Sequence, residues 1–284
     1  MKVSVSSYSF NQYIKAGKLT QFDCIARAKE LGFDAIEFTE LAAPDLEGQK
    51  ALAKSLRAEA DRLGMEIHAY TVGADLYREG KEECEREVGR LCDQLDIASI
   101  LGVRLMRHDV CSKLGKSGNG RSFGLMLPTI AENARRVADY AATLGIRTCT
   151  ENHGFISQDS YRVEALFNAV AHDNFGLLVD IGNFLCVDED PVSAVSRLAP
   201  YAVHVHVKDF KYTTEDDCAG KIYTRGANYI RATALGEGDV PVKQCVAILK
   251  RANYEGYLSL EYEGAEDCIA AIKRGLANIR KIVG

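Results

Sequence analysis

The sequence predicts an α/β fold in which residues 1–284 form one domain, a single (β/α)8 TIM barrel. Three observations lead there. Strand-like and helix-like patterns alternate eight times along the chain. Four helix ends pass into a strand through the same Leu-Gly joint, at 31–32, 63–64, 101–102 and 144–145, where glycine permits a left-handed turn. Several apolar runs also stop at a carboxylate or an imidazole, as in a parallel barrel whose active site lies at the C-terminal strand ends. A doubly wound open sheet is the alternative, but no G-x-G-x-x-G follows the first strand pattern.

Taken in order, residues 3–8 are the first strand pattern; the short N-terminus before them has a single lysine and no long apolar stretch, so no signal peptide is expected. Residues 22–31 have hydrophobic or small side chains at 22, 25, 28 and 31, with Thr20 as N-cap and Gly32 as stop. The strand pattern at 35–38 carries Glu37. A helix at 46–63 leads to a strand at 66–70 carrying His68, and a helix at 80–100 leads to a strand at 104–108 ending on His108. A helix at 127–144 precedes the strand 147–151, which ends on Glu151, and one at 160–172 precedes the strand 176–181, which carries Asp180. A helix at 190–199 leads to the strand 202–207, with His204 and His206. The chain closes with a helix at 240–252, a strand at 257–262 carrying Glu261, and a helix at 265–282. Two connections, 109–126 and 208–239, are long and follow strand ends, so both are expected on the catalytic face as lids or binding loops.

Hydrophobic residues make up 47% of the 284, enough for a sizeable core. No apolar run nears the roughly 20 residues of a membrane span. The nine cysteines, Cys218 among them, are odd in number and form no C-x-x-C pair, which points to reduced thiols and a cytoplasmic location. A net charge of −5 argues against a nucleic-acid partner and favours a small molecule. Gly115-Lys116-Ser117 imitates the end of a P-loop, but valine stands at 110 where that motif needs glycine.

Glu151, Asp180, His206 and Glu261 come from four different strands. Three carboxylates and an imidazole in one mouth would repel one another unless a divalent cation held them. Oxygen-rich ligation suits Mn2+, with Mg2+ or Co2+ as alternatives, better than zinc. Such an ion polarises a carbonyl and stabilises the enediolate left when the neighbouring C–H loses its proton. Glu151 and Glu261 could flank that carbon as base and acid.

The motifs Glu151-Asn152-His153-Gly154, Asp180-Ile181-Gly182-Asn183, His204-Val205-His206-Val207-Lys208-Asp209, Gly236-Glu237-Gly238-Asp239 and Leu258-Ser259-Leu260-Glu261 follow in order. In their order and spacing the chain resembles the xylose-isomerase-like TIM-barrel superfamily. Within it, the resemblance is to the sugar phosphate isomerase/epimerase group that includes D-tagatose 3-epimerase-like enzymes. The resemblance implies that Glu151, Asp180, His206 and Glu261 hold Mn2+ or a similar ion and that the two glutamates shuttle protons. It also implies a metal-dependent isomerase or epimerase acting on a ketose or keto-sugar, and a homo-oligomer, dimer or tetramer. Relatives include inosose dehydratases, hydroxypyruvate isomerases and C-glycoside deglycosylases, so a lyase or dehydratase is the alternative. A non-catalytic sugar-binding barrel is the other, and the apurinic-site endonuclease branch is disfavoured by the acidic charge. Asn183 departs from the histidine of many relatives, and the stretch from His206 to Glu261 is long.

Six further residues are candidates for holding substrate: Glu37, His68, His108, His153, Asn183 and Lys208. His68 and His108 end strand patterns and are expected to face the mouth. Lys208 shares the face of His206 two residues before it. Arg107, of opposite parity to His108, is expected to pair with acids outside the barrel, and His204 to be a hydrogen-bonding core residue.

Overall fold

The computed structural model describes residues 1–115, 117–214 and 220–284. Lys116 and Cys218 lie outside the described residues. The first seven strands are β1 (Lys2–Ser6), β2 (Ala35–Thr39), β3 (Glu66–Val72), β4 (Leu105–His108), β5 (Arg147–Glu151), β6 (Phe175–Asp180) and β7 (Ala202–Val207). Three short strands, β8 (Asp209–Thr213), β9 (Lys221–Tyr223) and β10 (Tyr229–Thr233), form a separate antiparallel sheet in the order β8-β10-β9. Last comes β11 (Tyr257–Leu260), which pairs in parallel with β7 on one side and β1 on the other and so closes an eight-stranded barrel.

The helices are α1 (Asn11–Lys15), α2 (Asp23–Leu31), α3 (Leu46–Leu63), α4 (Lys81–Leu101), α5 (Phe123–Thr143), α6 (Ser160–Val170), α7 (Pro191–Leu198), α8 (Val242–Arg251) and α9 (Cys268–Val283). All four Leu-Gly joints are left-handed at the glycine, with φ of 91°, 59°, 74° and 66° at Gly32, Gly64, Gly102 and Gly145. Ahead of α2, the Thr20 hydroxyl accepts from Asp23 N (3.3 Å) while the Asp23 carboxylate accepts from Thr20 N (2.7 Å), a reciprocal cap. The α5 helix begins at Phe123, four residues before the expected 127, because Ser122 caps it, and Pro128 is accommodated inside.

Between barrel and helices lies the apolar core, with Val3, Val5, Ile36, Phe38, Leu56, Leu91 and Ile130 all buried. Burying each such side chain stabilises the fold by about 1.5–3 kcal/mol, which secures the wall. The barrel interior is polar instead: Ser4, Glu37, His204 and Ser259 are buried there, where branched aliphatics are usual. Two bulges shape it. Pairing of β2 with β3 steps over His68, and pairing of β6 with β7 steps over Val203. The second bulge explains Gly176, since a Cβ there would lie 2.6 Å from Val203 Cγ1.

The 208–239 connection, expected as a lid or binding loop, carries the antiparallel sheet. The turn after β9 is tied down by Asp188, which accepts from Thr224 Oγ1 (2.8 Å), Asn228 Nδ2 (2.7 Å) and Gly226 N. The start of the 109–126 connection lies against the β3–α4 loop, with Leu76 N donating to Val110 O at 2.7 Å. None of the eight described cysteines is in a disulfide, and seven are buried. No described helix is long and apolar enough to cross a membrane.

Candidate active site

Four strand ends bring Glu151, Asp180, His206 and Glu261 together at one mouth, all buried, with one ligand atom from each within 4.8 Å of the others. His206 Nδ1 lies 3.5 Å from Glu151 Oε1, 3.7 Å from Glu261 Oε2 and 4.0 Å from Asp180 Oδ2. Octahedral ligands at about 2.1 Å from an ion stand roughly 3 Å apart when adjacent and about 4.2 Å when opposite, so these spacings need only small adjustment. His206 Nδ1 and Asp180 Oδ2 are buried without a hydrogen-bond partner. Orphaned atoms facing one another at this depth are what a cation would satisfy, and the donor set fits a divalent ion of the Mn2+ or Mg2+ kind.

Backbone geometry fixes Asp180. Its Oδ1 accepts from Gly182 N (2.7 Å) and Asn183 N (3.0 Å), which leaves Oδ2 to face the cluster. The Asn152 amide clasps the same residue from β5, donating to Asp180 O (2.9 Å) and accepting from Asp180 N (2.8 Å). Burial pushes the Asp180 carboxyl up to about 6; Glu151 adds to that and Lys208 opposes it. Glu151 behaves oppositely. Burial would raise it, but the Arg107 guanidinium and His206 outweigh burial and hold it well below the usual carboxylate range.

Arg107 overturns an expectation. It points into the mouth, where it pairs with Glu151 and lies 3.4 Å from Asp109, while His108 faces away with Nδ1 on the Asp109 carbonyl (2.9 Å). Burial lowers the His108 pKa, and His108 is not among the residues lining the mouth. The strand enters the barrel with the odd-numbered side chains inward, which apolar patterning over four residues could not settle. His68 is also displaced from the mouth, because the bulge turns it into the interior, where its ring stacks on Tyr257 at 4.3 Å. Burial, reinforced by His204, takes its pKa down to about 3. Glu37 lies beneath the cluster rather than in the pocket. Its Oε2 is 2.6 Å from His204 Nε2, and its Oε1 is 2.7 Å from His206 Nε2 in an ionic contact out of line for a hydrogen bond.

The remaining candidates are at the mouth. Asn183 Nδ2 donates to Glu151 Oε1 at 3.0 Å. Lys208 Nζ is 2.6 Å from Glu261 Oε2 and 3.5 Å from both Asp180 and Glu263. Burial alone would lower its pKa, but these carboxylates, Glu261 foremost, raise it well above the ordinary lysine value. His153 is half-exposed, with Nδ1 3.1 Å from Asp109 Oδ1. A cavity of about 250 Å³ opens over the cluster, and Tyr8, Thr39, Glu40, Thr71 and Glu263 line it with Arg107, Glu151, His153, Lys208 and Glu261. A larger cavity of about 700 Å³ between α4 and α5 brings no ligand set together, and its Arg136 is spent on Glu85. Tyr8, Arg107, Asn152 and Glu263 were not marked as site residues by sequence, although Asn152 stands in the Glu151-Asn152-His153-Gly154 motif.

Comparison with known proteins places this geometry. A family model described as "Xylose isomerase-like TIM barrel" matches residues 25–282. An inosose dehydratase of Clostridium perfringens is 25% identical over 262 residues, which cover 87% of this chain and 84% of that one. Among solved structures, a D-psicose 3-epimerase in the presence of D-fructose superposes with a TM-score of 0.75 at 17% identity, covering 100% of both chains. A xylose isomerase-like TIM-barrel protein of Mycobacterium smegmatis in complex with magnesium gives 0.72 at 17% identity, covering 99% of this chain and 96% of that one. At such identities the two structures attest the fold.

Proposed function

The chain belongs to the xylose isomerase-like TIM-barrel family, and on that premise we propose that it is a divalent-cation-dependent enzyme that removes a proton beside the carbonyl of a keto-sugar or keto-polyol. The observation that carries this reading is the convergence of Glu151, Asp180, His206 and Glu261 with orphaned atoms turned toward one another. A divalent ion held there would act as a Lewis acid on the substrate carbonyl.

The protein groups divide the remaining work. Glu261 is the base, and Lys208 beside it at 2.6 Å is the acid for a departing hydroxyl. Glu151 has Oε2 on Arg107 and Oε1 on Asn183, so it stays a fixed carboxylate. Tyr8, Thr39, Glu40, His153 and Glu263 offer polar atoms to substrate hydroxyls around the cavity. Loss of water needs a base and an acid side by side, and Glu261 with Lys208 offers that pair. The similarity to an inosose dehydratase over most of the chain points the same way. An isomerase or epimerase is the second reading, supported by Glu151 and Glu261 facing the cluster from opposite sides of β6 and β7.

The test is incubation of the Mn2+-loaded protein in D2O with inososes, free ketoses, sugar phosphates and 3-keto-glycosides, read by NMR and mass spectrometry. Loss of water from a keto-polyol is the expected result, and Glu261→Gln should abolish it. Deuterium at the carbon beside the carbonyl with an epimer or aldose as product would establish the second reading. No exchange with any substrate would overturn both.

A further inference from the structure

Beneath the cluster, the barrel holds a polar column where aliphatic packing is usual. Glu37 is wholly buried, its two oxygens turned to two imidazoles, His204 Nε2 at 2.6 Å and His206 Nε2 at 2.7 Å. His206 therefore presents its other nitrogen, Nδ1, to Glu151, Asp180 and Glu261. Nδ1 has no partner at all within hydrogen-bond geometry, whereas Nε2 is held by Glu37 Oε1 in an ionic contact that is not aligned as a hydrogen bond. The column continues downward: His68 meets the His204 ring edge-on at 5.0 Å and stacks on Tyr257.

Burying a carboxylate this deeply costs several kcal/mol unless its partners are well placed, so packing alone gives no reason for Glu37. Its geometry gives one. An imidazole can turn about its ring bond and offer either nitrogen, and a group anchored at one nitrogen commits the other. The structure assigns Glu37 as a positioning residue that anchors His206 at Nε2 and so commits Nδ1 to the cation, with His204 bracing Glu37 from the far side. This rests on the reading that the cluster holds a divalent cation.

The role separates from a structural one by what it moves. Loss of a partner behind a ligating histidine weakens cation binding by about 10–100-fold. A packing role would lower the melting temperature of the cation-free protein and leave affinity alone.

The experiment is calorimetric titration of Mn2+ into the cation-free full chain, with melting curves recorded on the same samples. Glu37→Gln is expected to bind about 10–100-fold more weakly than wild type at unchanged stoichiometry. Tyr257→Phe lies at the foot of the same column, where its hydroxyl is tied to Lys2 and Glu66 rather than to Glu37 or His206, and it is expected to change the melting temperature and not the affinity. Should Glu37→Gln fail to fold, His204→Gln removes the brace and carries the same expectation of weaker binding. Wild-type affinity in Glu37→Gln, or equal weakening in Glu37→Gln and Tyr257→Phe, would overturn the assignment while leaving the cation reading intact. Wild-type protein that takes no Mn2+ would overturn that reading as well.

Discussion

Asp180 holds one oxygen on two backbone amides and turns the other to a site where burial has lifted its pKa to about 6. The sign of the linkage follows. A raised carboxyl binds its proton more tightly in the fold than in the unfolded chain, so the cation-free protein loses that stabilisation as pH rises through about 6. A cation must displace the same proton, so its affinity should fall by up to about tenfold for each pH unit below that point. Calorimetry across this range checks it, and a flat affinity down to about pH 5 would refute it. Arg107 gives a second prediction. In cation-free protein, Arg107→Met strands the buried Glu151 carboxylate and should cost roughly 3–5 kcal/mol in denaturant unfolding, with a smaller loss when Mn2+ is bound. The four cluster residues were legible because each stands where an apolar run stops. His68, His108 and Arg107 were misplaced because side-chain direction depends on register, and one bulge or one step of phase reverses it.

At the scale of elements, all eight barrel strands were legible, since each strand–helix unit has its own periodicity and stop. The β8-β10-β9 sheet was not, because its short, half-exposed strands gain order from tertiary ties. Asp209 makes the chief tie at its base, accepting from Gly236 N and Gly238 N at 2.8 Å and from Val240 N at 3.1 Å. A Cβ at Gly238 would collide with that carboxylate and with Phe210 O. Asp209→Ala leaves these amides without their acceptor, at about 1–3 kcal/mol for each that stays buried. Hydrogen exchange should quicken at 236–240 while β5 and β6 stay protected. Uniform acceleration across the barrel would instead mean that Asp209 supports the whole fold.

For the whole molecule, the proposed cation would join groups from β5, β6, β7 and the end of β11, half the barrel wall. Binding to the folded form alone adds about 2.7 kcal/mol at a hundredfold excess over Kd, a rise of several degrees in melting temperature. A chelator should reverse it, and a melting temperature indifferent to Mn2+ would count against the cluster as its site. Closure of the barrel was legible only from the count of eight strand–helix units, because no local pattern says that the last strand returns to the first. The floor of that barrel has a further consequence. Tyr257 blocks it, with its hydroxyl tied to Lys2 and Glu66, and Glu37 above is wholly shut off from solvent. Among the described residues the barrel axis therefore offers no passage through the floor, and the mouth is the way to the cluster. In the proposed reaction, product would leave by the route the next substrate takes in, so accumulated product should compete with substrate, and conversions run to high extent should slow sooner than substrate depletion alone accounts for.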